Sequence, residues 1–149
     1  MKVNYWDSDA FQGLYQMDER PSRIKVLNLI RYRQADSLLD VGCGTGPMYL
    51  MFKKNNVQTP YKGVDYSKRL VGFAKKEFPE AVFEVQDARQ LKEKDDSWDI
   101  LLYFHSLDHI GDWQQAIAEA YRGCVRYAII VLWRNFTGNG LIRTNATPF

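Results

Sequence analysis

One short stretch limits this chain more than any other. In Leu38-Leu39-Asp40-Val41-Gly42-Cys43-Gly44-Thr45-Gly46-Pro47-Met48, an apolar run meets three alternating glycines and then a proline. Glycine tolerates positive φ and lets a ligand approach the backbone closely. Pro47 suits the first turn of a helix, where its missing N–H costs nothing. The stretch therefore reads as a strand, a tight turn and a helix, the unit on which α/β sheets build nucleotide-type sites. The spacing narrows the ligand. A dinucleotide loop needs G-x-G-x-x-G, its third glycine allowing close helix–strand packing. Here the glycines stand at 42, 44 and 46, and Pro47 occupies the place of that third glycine. No lysine and hydroxyl pair follows, which excludes a P-loop.

The rest of the chain alternates short apolar runs with helical patterns, the signature of βα units around a mostly parallel sheet. Strands are expected at 37–41, 61–65, 82–86, 99–104 and 127–133. A helix is expected over 22–33, with Ile24, Leu27 and Ile30 on one side. A second begins at the Ser67 cap, buries Leu70, Val71, Ala74 and Phe78, and stops at Pro79. A third starts from Asp112, with Gln115 in a capping-box position and Trp113, Ala116, Ile117, Ala120 and Tyr121 on its inner face. The fold class is α/β, a Rossmann-like open sheet with helices on both faces. Residues 1–149 form a single domain, since one core ordinarily spans roughly 100–200 residues. Residues 1–21 read as a lid segment and 134–149 as a short tail.

Composition removes several classes. With 46% hydrophobic residues the chain can build a core, and a net charge of +2 gives no electrostatic case for nucleic acid. The apolar run at 128–133 is far shorter than the ~20 residues of a membrane-spanning helix. The N-terminus carries two aspartates and no apolar core of a signal peptide, and Asn135 and Asn145 head glycosylation tripeptides read as chance. Two cysteines, Cys43 and Cys124, make no disulfide framework, so a cytoplasmic setting is expected.

Four ordered motifs carry a family resemblance. LLDVGCGTG at 38–46, VDYS at 64–67, VQDARQL at 85–91 and SWDILLYFHSLDHIGD at 97–112 are similar to the motifs of class I S-adenosylmethionine-dependent methyltransferases, and especially of the small-molecule "type 11" methyltransferase domains. The resemblance covers about residues 20–133. It implies S-adenosylmethionine as cofactor, S-adenosylhomocysteine as product, a small-molecule acceptor and no metal.

The resemblance also assigns contacts, each with a physical reason. The methionine end would pass the backbone of Gly42, Cys43, Gly44 and Gly46, and its ammonium group would meet Asp40 directly or through water. Asp65 would accept from both ribose hydroxyls, with Tyr66 on the adenine face and Ser67 beside it. Asp87 would accept from the adenine amino group, while the Ala88 backbone N–H donates to a ring nitrogen. Phe104 ends the fourth strand at the same edge, and Tyr15 lies nearest the helix leading into the loop. Structural alternatives stand beside these. A strand-terminal aspartate often caps a helix, Asp40 can serve as a loop acceptor, and Cys43 reads as small filler, not a nucleophile. The aromatics Tyr5, Trp6, Phe11 and Tyr15 either fold over the cofactor or cover an apolar patch.

The sulfonium methyl is already activated, so the protein's part is alignment, with a base where the acceptor carries a proton. His105 follows the fourth strand at the edge where open sheets bind ligands, and is the catalytic or acceptor-binding candidate. His109 reads as a turn histidine. A methyltransferase acting on exocyclic amines of nucleic acid would be expected to show an Asn/Asp-Pro-Pro-aromatic signature where this chain has Tyr103-Phe104-His105-Ser106. The rival class is a non-catalytic subunit that keeps the fold, binds the cofactor and docks to another protein. The C-terminal β6–β7 hairpin usual in the family has no room after residue 133. Residues 127–149 are thus expected either to pair across a homodimer through the fifth-strand edge or to be poorly ordered.

Overall fold

The computed structural model of the chain describes residues 21–132 and 141–143. In chain order the elements are α1 (Pro21–Tyr32), β1 (Leu38–Val41), α2 (Pro47–Lys54), β2 (Tyr61–Asp65), α3 (Lys68–Glu77), β3 (Val82–Val85), β4 (Trp98–Phe104), a 3-10 turn (Leu107–His109), α4 (Trp113–Gly123), β5 (Cys124–Val131) and β6 (Leu141–Arg143). The six strands form one sheet in the order β3-β2-β1-β4-β5-β6, parallel from β3 through β5. The chain thus reverses direction across the sheet between β1 and β4, and the glycine turn sits at that switch point, where open α/β sheets bind ligands.

The apolar runs are continuous because both faces of the sheet are covered. Leu38, Ile100, Leu102 and Phe104 meet Leu27 and Ile30 of α1 and Met48, Met51 and Phe52 of α2. On the opposite face Leu39, Val41, Leu101 and Tyr103 meet Ala116 and Ala120 of α4. Val71, Ala74 and Phe78 of α3 pack on Phe83, and share Tyr49 and Tyr61 with the α1–α2 cluster. Ser67 caps α3 as expected, its hydroxyl accepting from the Leu70 N–H at 3.2 Å. The Asp112 carboxylate accepts from the Gln115 N–H at 3.4 Å at the start of α4.

Three features stand out against the sequence expectation, which names no element between residues 86 and 99. The inner face of α4 is narrower: Ala116 and Ala120 are buried, while Trp113 and Tyr121 are exposed. Small residues bring this helix close to the sheet, and a Cβ at Gly123 would already touch Leu101 at 3.7 Å. The β3–β4 crossover contains no helix. Instead Glu93 accepts from Lys62 (2.8 Å), Trp98 (2.9 Å) and Gln86 (3.0 Å), and Arg122 donates to the carbonyls of Glu93 (2.7 Å) and Leu91 (3.2 Å). This polar network holds the loop where a helix would otherwise lie.

The third difference is at the sheet edge. Tyr127, Ala128 and Ile129 of β5 pair antiparallel with Arg143, Ile142 and Leu141. The chain's own β6 therefore satisfies backbone groups that an apolar edge would otherwise present to a partner. No complete hairpin is seen among the described residues, and a second copy adding to this segment would meet β6 instead of β5.

Leu101 has no exposed surface and lies on the central strand β4. Leu101→Ala is expected to cost about 2–5 kcal/mol through lost burial and the remaining cavity. Urea unfolding should show a lower midpoint with an unchanged slope.

Candidate active site

The glycine turn is built from three left-handed residues, Gly42 (φ +78°), Gly44 (φ +56°) and Gly46 (φ +85°). Such φ values cost an L-residue roughly 1–2 kcal/mol each, which is why this turn uses glycine. The Gly42 and Cys43 N–H groups both donate to the Val64 carbonyl, at 2.7 and 3.0 Å, tying the turn to the end of β2. Gly46 serves a further purpose: a Cβ there would meet the Phe83 and Phe78 rings at 3.0–3.1 Å. The close packing that a dinucleotide loop gains from its third glycine is obtained here at Gly46, one position before Pro47.

Asp65 ends β2 and joins two elements. Its Oδ2 accepts from the Gly44 N–H and its Oδ1 from the Ser67 N–H, both at 2.9 Å. Next to it, exposed Tyr66 lines a cleft of about 500 Å³ together with Val85, Gln86, Asp87, Gln90, Leu91 and Lys92. The cleft lies beyond the carboxyl ends of β2 and β3; it brings Tyr66 and Asp87 together, and Asp65 is the residue before Tyr66. The Asp87 carboxylate is engaged by Arg89, whose Nη2 and Nε donate at 2.6 and 3.0 Å, and this pairing holds the carboxyl below the usual carboxylate range. Ala88 is half-buried against the α4-side cluster.

The remaining candidates divide. Cys43 is buried, and burial first and the nearby Asp40 charge second push its thiol well up, so it is a neutral filler. Ser67 is only 1% exposed, with its hydroxyl accepting the α3 cap bond. The Phe104 ring lies in the α1–α2 core beneath the Arg23 guanidinium, 4.6 Å from its centroid. Asp40 is buried behind the turn, accepting from the Tyr61 hydroxyl at 2.7 Å. Tyr15, like Tyr5, Trp6 and Phe11, lies outside the described residues.

His105 is the first residue after β4, in the left-handed region at φ +56°, its N–H donating to the Val131 carbonyl at 2.8 Å. The next residue bonds the post-β4 loop to the glycine turn: the Ser106 hydroxyl donates to the Val41 carbonyl at 2.6 Å. His105 is thereby held at the carboxyl edge beside the turn. His109 closes the 3-10 turn, its N–H bonded to the Ser106 carbonyl at 3.1 Å, in keeping with a turn role. Tyr61, Ser106, Arg23 and Arg89 were not legible as site residues. Tyr61, Ser106 and Arg23 meet Asp40, Val41 and Phe104, 21, 65 and 81 positions away, so spacing does not mark them, while Arg89 pairs with Asp87 two positions away.

Among known proteins, the profile of the family described as a methyltransferase domain matches residues 39–131, and the chain belongs to that family. Class I S-adenosylmethionine-dependent methyltransferases are the group its ordered motifs define. The chain is 31% identical over 127 residues to 27-O-demethylrifamycin SV methyltransferase of Amycolatopsis mediterranei, covering 79% of this chain and 44% of the relative. It is 27% identical over 100 residues to the ubiquinone/menaquinone biosynthesis C-methyltransferase UbiE of Campylobacter jejuni, covering 64% and 43%. The chain thus spans less than half the length of these curated relatives. In fold it is similar to SAM-bound CalS10, an amino pentose methyltransferase from Micromonospora echinaspora, with TM-score 0.71 and 19% identity over 87% of this chain and 58% of that one.

Gly42 and Gly44 make opposite predictions for one substitution. A Cβ at Gly42 would fall 2.2 Å from the Ser106 Cβ, whereas one at Gly44 meets nothing within 4 Å. Gly44→Ala should therefore cost only the left-handed penalty of about 1–2 kcal/mol. Gly42→Ala should add a further ~1–3 kcal/mol for the overlap. Thermal unfolding of the pair will show whether the Ser106 contact is as tight as this difference requires.

Proposed function

We propose that this chain transfers the methyl group of S-adenosylmethionine to a small organic acceptor. The observation that carries the reading is Asp65: one carboxylate, at the end of β2, organises the glycine turn at the switch point and directly precedes Tyr66 of the Tyr66–Asp87 cleft. Both curated relatives are methyltransferases whose names point to small organic compounds, which supports the acceptor class.

The residues fit the cofactor. The turn has no Cβ atoms at 42, 44 or 46, leaving its backbone approachable, and Asp65 offers acceptor oxygens for a diol. Tyr66 presents an exposed aromatic face for a purine, with Asp87 and the Ala88 backbone at the adenine end. Asp40 supplies negative charge behind the turn for an ammonium group. Bound there, S-adenosylmethionine supplies a methyl already activated by its sulfonium. The chain's own work is then to orient the two reactants, a source of several kcal/mol in intramolecular analogies. His105 stands at the acceptor side, where its imidazole takes a proton from an O–H or N–H nucleophile. Tyr15 and the aromatic N-terminal segment belong to the same proposal as cofactor-side cover. Buried Cys43 and Cys124, neither in a disulfide, suit a reducing, cytoplasmic setting.

No helix among the described residues is long and apolar enough to cross a membrane. In this reading the acceptor meets the site at the carboxyl edge of the sheet, between the glycine turn and the post-β4 loop.

Calorimetric titration with S-adenosylmethionine and S-adenosylhomocysteine tests the reading. Binding is expected, and Asp65→Ala should weaken it by ~1–3 kcal/mol, the scale of hydrogen bonds to a charged group. Tight binding of NAD without binding of the adenosyl cofactor overturns it, no binding of either points to a pure scaffold, and binding without turnover points to a docking subunit. His105→Ala should lower turnover while cofactor affinity stays nearly constant, because the imidazole serves the acceptor side. A matching loss of affinity would remove His105 from that role.

A further inference from the structure

Behind the glycine turn lies a buried polar pair that the contacts above leave unexplained. Asp40 is only 2% exposed, and the Tyr61 hydroxyl donates to its Oδ2 at 2.7 Å. The register pairs Leu38 with Tyr61 and Asp40 with Gly63, so both side chains leave the same face of the sheet, one pleat apart. The Tyr61 ring is held among Tyr49, Phe52 and Phe83, with centroids 5.1, 5.6 and 5.9 Å away. A ring so enclosed cannot swing aside, and the position of its hydroxyl is set by packing. Aliphatic residues would fill that volume without bringing a donor to the carboxylate.

Asp40 needs one. Burial pushes its carboxyl up to about 6, against which the Tyr61 bond and the Arg23 charge of α1 favour the anion, while Asp65 opposes it. Cys43 faces the same cluster from the turn as a neutral thiol, and burial likewise keeps the Tyr61 proton in place. A carboxyl that took up a proton here would lose the charge an incoming ammonium group requires.

We propose, building on the cofactor reading above, that Tyr61 is a positioning residue whose hydroxyl fixes the Asp40 carboxylate behind the glycine turn as the anion for the ammonium end of S-adenosylmethionine. No bond is made or broken; the hydroxyl acts only through Asp40.

Tyr61→Phe keeps the ring and removes the donor. Affinity for S-adenosylhomocysteine, which retains the ammonium group, is measured by calorimetry between pH 5.5 and 8. In the unsubstituted protein it should fall as pH drops through about 6, where Asp40 takes up a proton. In Tyr61→Phe that fall should move up by about one pH unit, leaving binding about threefold weaker near pH 6.5, about eightfold weaker near pH 5.5 and nearly unaffected at pH 8. In Asp40→Asn the fall should vanish, and adding Tyr61→Phe should not restore it. A loss equal at every pH, or none, shows Tyr61 to be a space-filler and overturns the proposal.

The pair has a second readout without ligand. Because folding raises the Asp40 carboxyl above its unfolded value, its contribution to stability is complete below the ordinary carboxylate range and is lost as pH rises through about 6. Removing the donor raises the folded value further. Tyr61→Phe should therefore shift the unfolding equilibrium about tenfold more at pH 8 than at pH 5, and the difference should disappear in Asp40→Asn. Equal destabilisation at both pH values overturns the proposal even where no cofactor binds, whereas failure of the unsubstituted protein to bind overturns only the functional reading. If Tyr61→Phe does not fold, a fluorotyrosine at position 61, a stronger donor of nearly the same shape, should move the fall to lower pH; an unmoved fall counts against the role.

Discussion

The Asp65 carboxylate accepts backbone N–H bonds from Gly44 and Ser67, so one side chain joins the glycine turn to the start of α3. Hydrogen bonds to a charged acceptor contribute roughly 1.5–3 kcal/mol each, more than the left-handed cost of a single turn residue. The turn is further bound to β2 through the Val64 carbonyl, which accepts from Gly42 and Cys43. Without this anchoring, three alternating departures into positive φ would have little to select one conformation. Asp65 directly precedes Tyr66, which lines the cleft, so the side chain that shapes the turn lies next in the chain to the cleft wall.

The opposite wall depends on polar bonding instead of a packed helix. Gln86, Asp87, Gln90, Leu91 and Lys92 line the cleft from the β3–β4 crossover. That loop is held by Glu93 and by Arg122, which also pairs with Glu119 at 2.8 Å. Loops ordinarily carry variable binding surface on a rigid scaffold, and here the scaffold reaches into the loop through α4. Asp87 is engaged by Arg89 at the solvent edge, where ion pairs add little stability. The pairing instead keeps the Asp87 carboxylate charged and oriented toward the cleft rim.

The third support comes from β4. Its apolar run is covered by α1 and α2 on one face and α4 on the other, and its end delivers His105 and Ser106 to the turn. Ser106 fits against Gly42 because no Cβ stands between them. Catalytic candidate, cofactor turn and sheet core are therefore connected by two residues of van der Waals contact and one short hydrogen bond. The strongly buried Asp40–Tyr61 pair lies beneath them, where charge is costly and a donor matters most.

Local pattern was enough for the α/β architecture, the five parallel strands, the caps at Ser67 and Asp112 and the glycine turn, because periodicity, capping and positive φ are properties of neighbouring residues. The ordered acids Asp65 and Asp87 were legible for the same reason: each follows a strand directly. Tertiary structure alone decided that Ser67 is buried in its cap, that Phe104 belongs to the core and that the β3–β4 crossover has no helix. It also decided that β6 covers part of β5, and that Tyr61 meets Asp40 and Ser106 meets Gly42. Those outcomes rest on strand register and on contacts between residues far apart in the chain, and no short-range pattern in the amino-acid order encodes which distant side chain will fill the space beside a given atom.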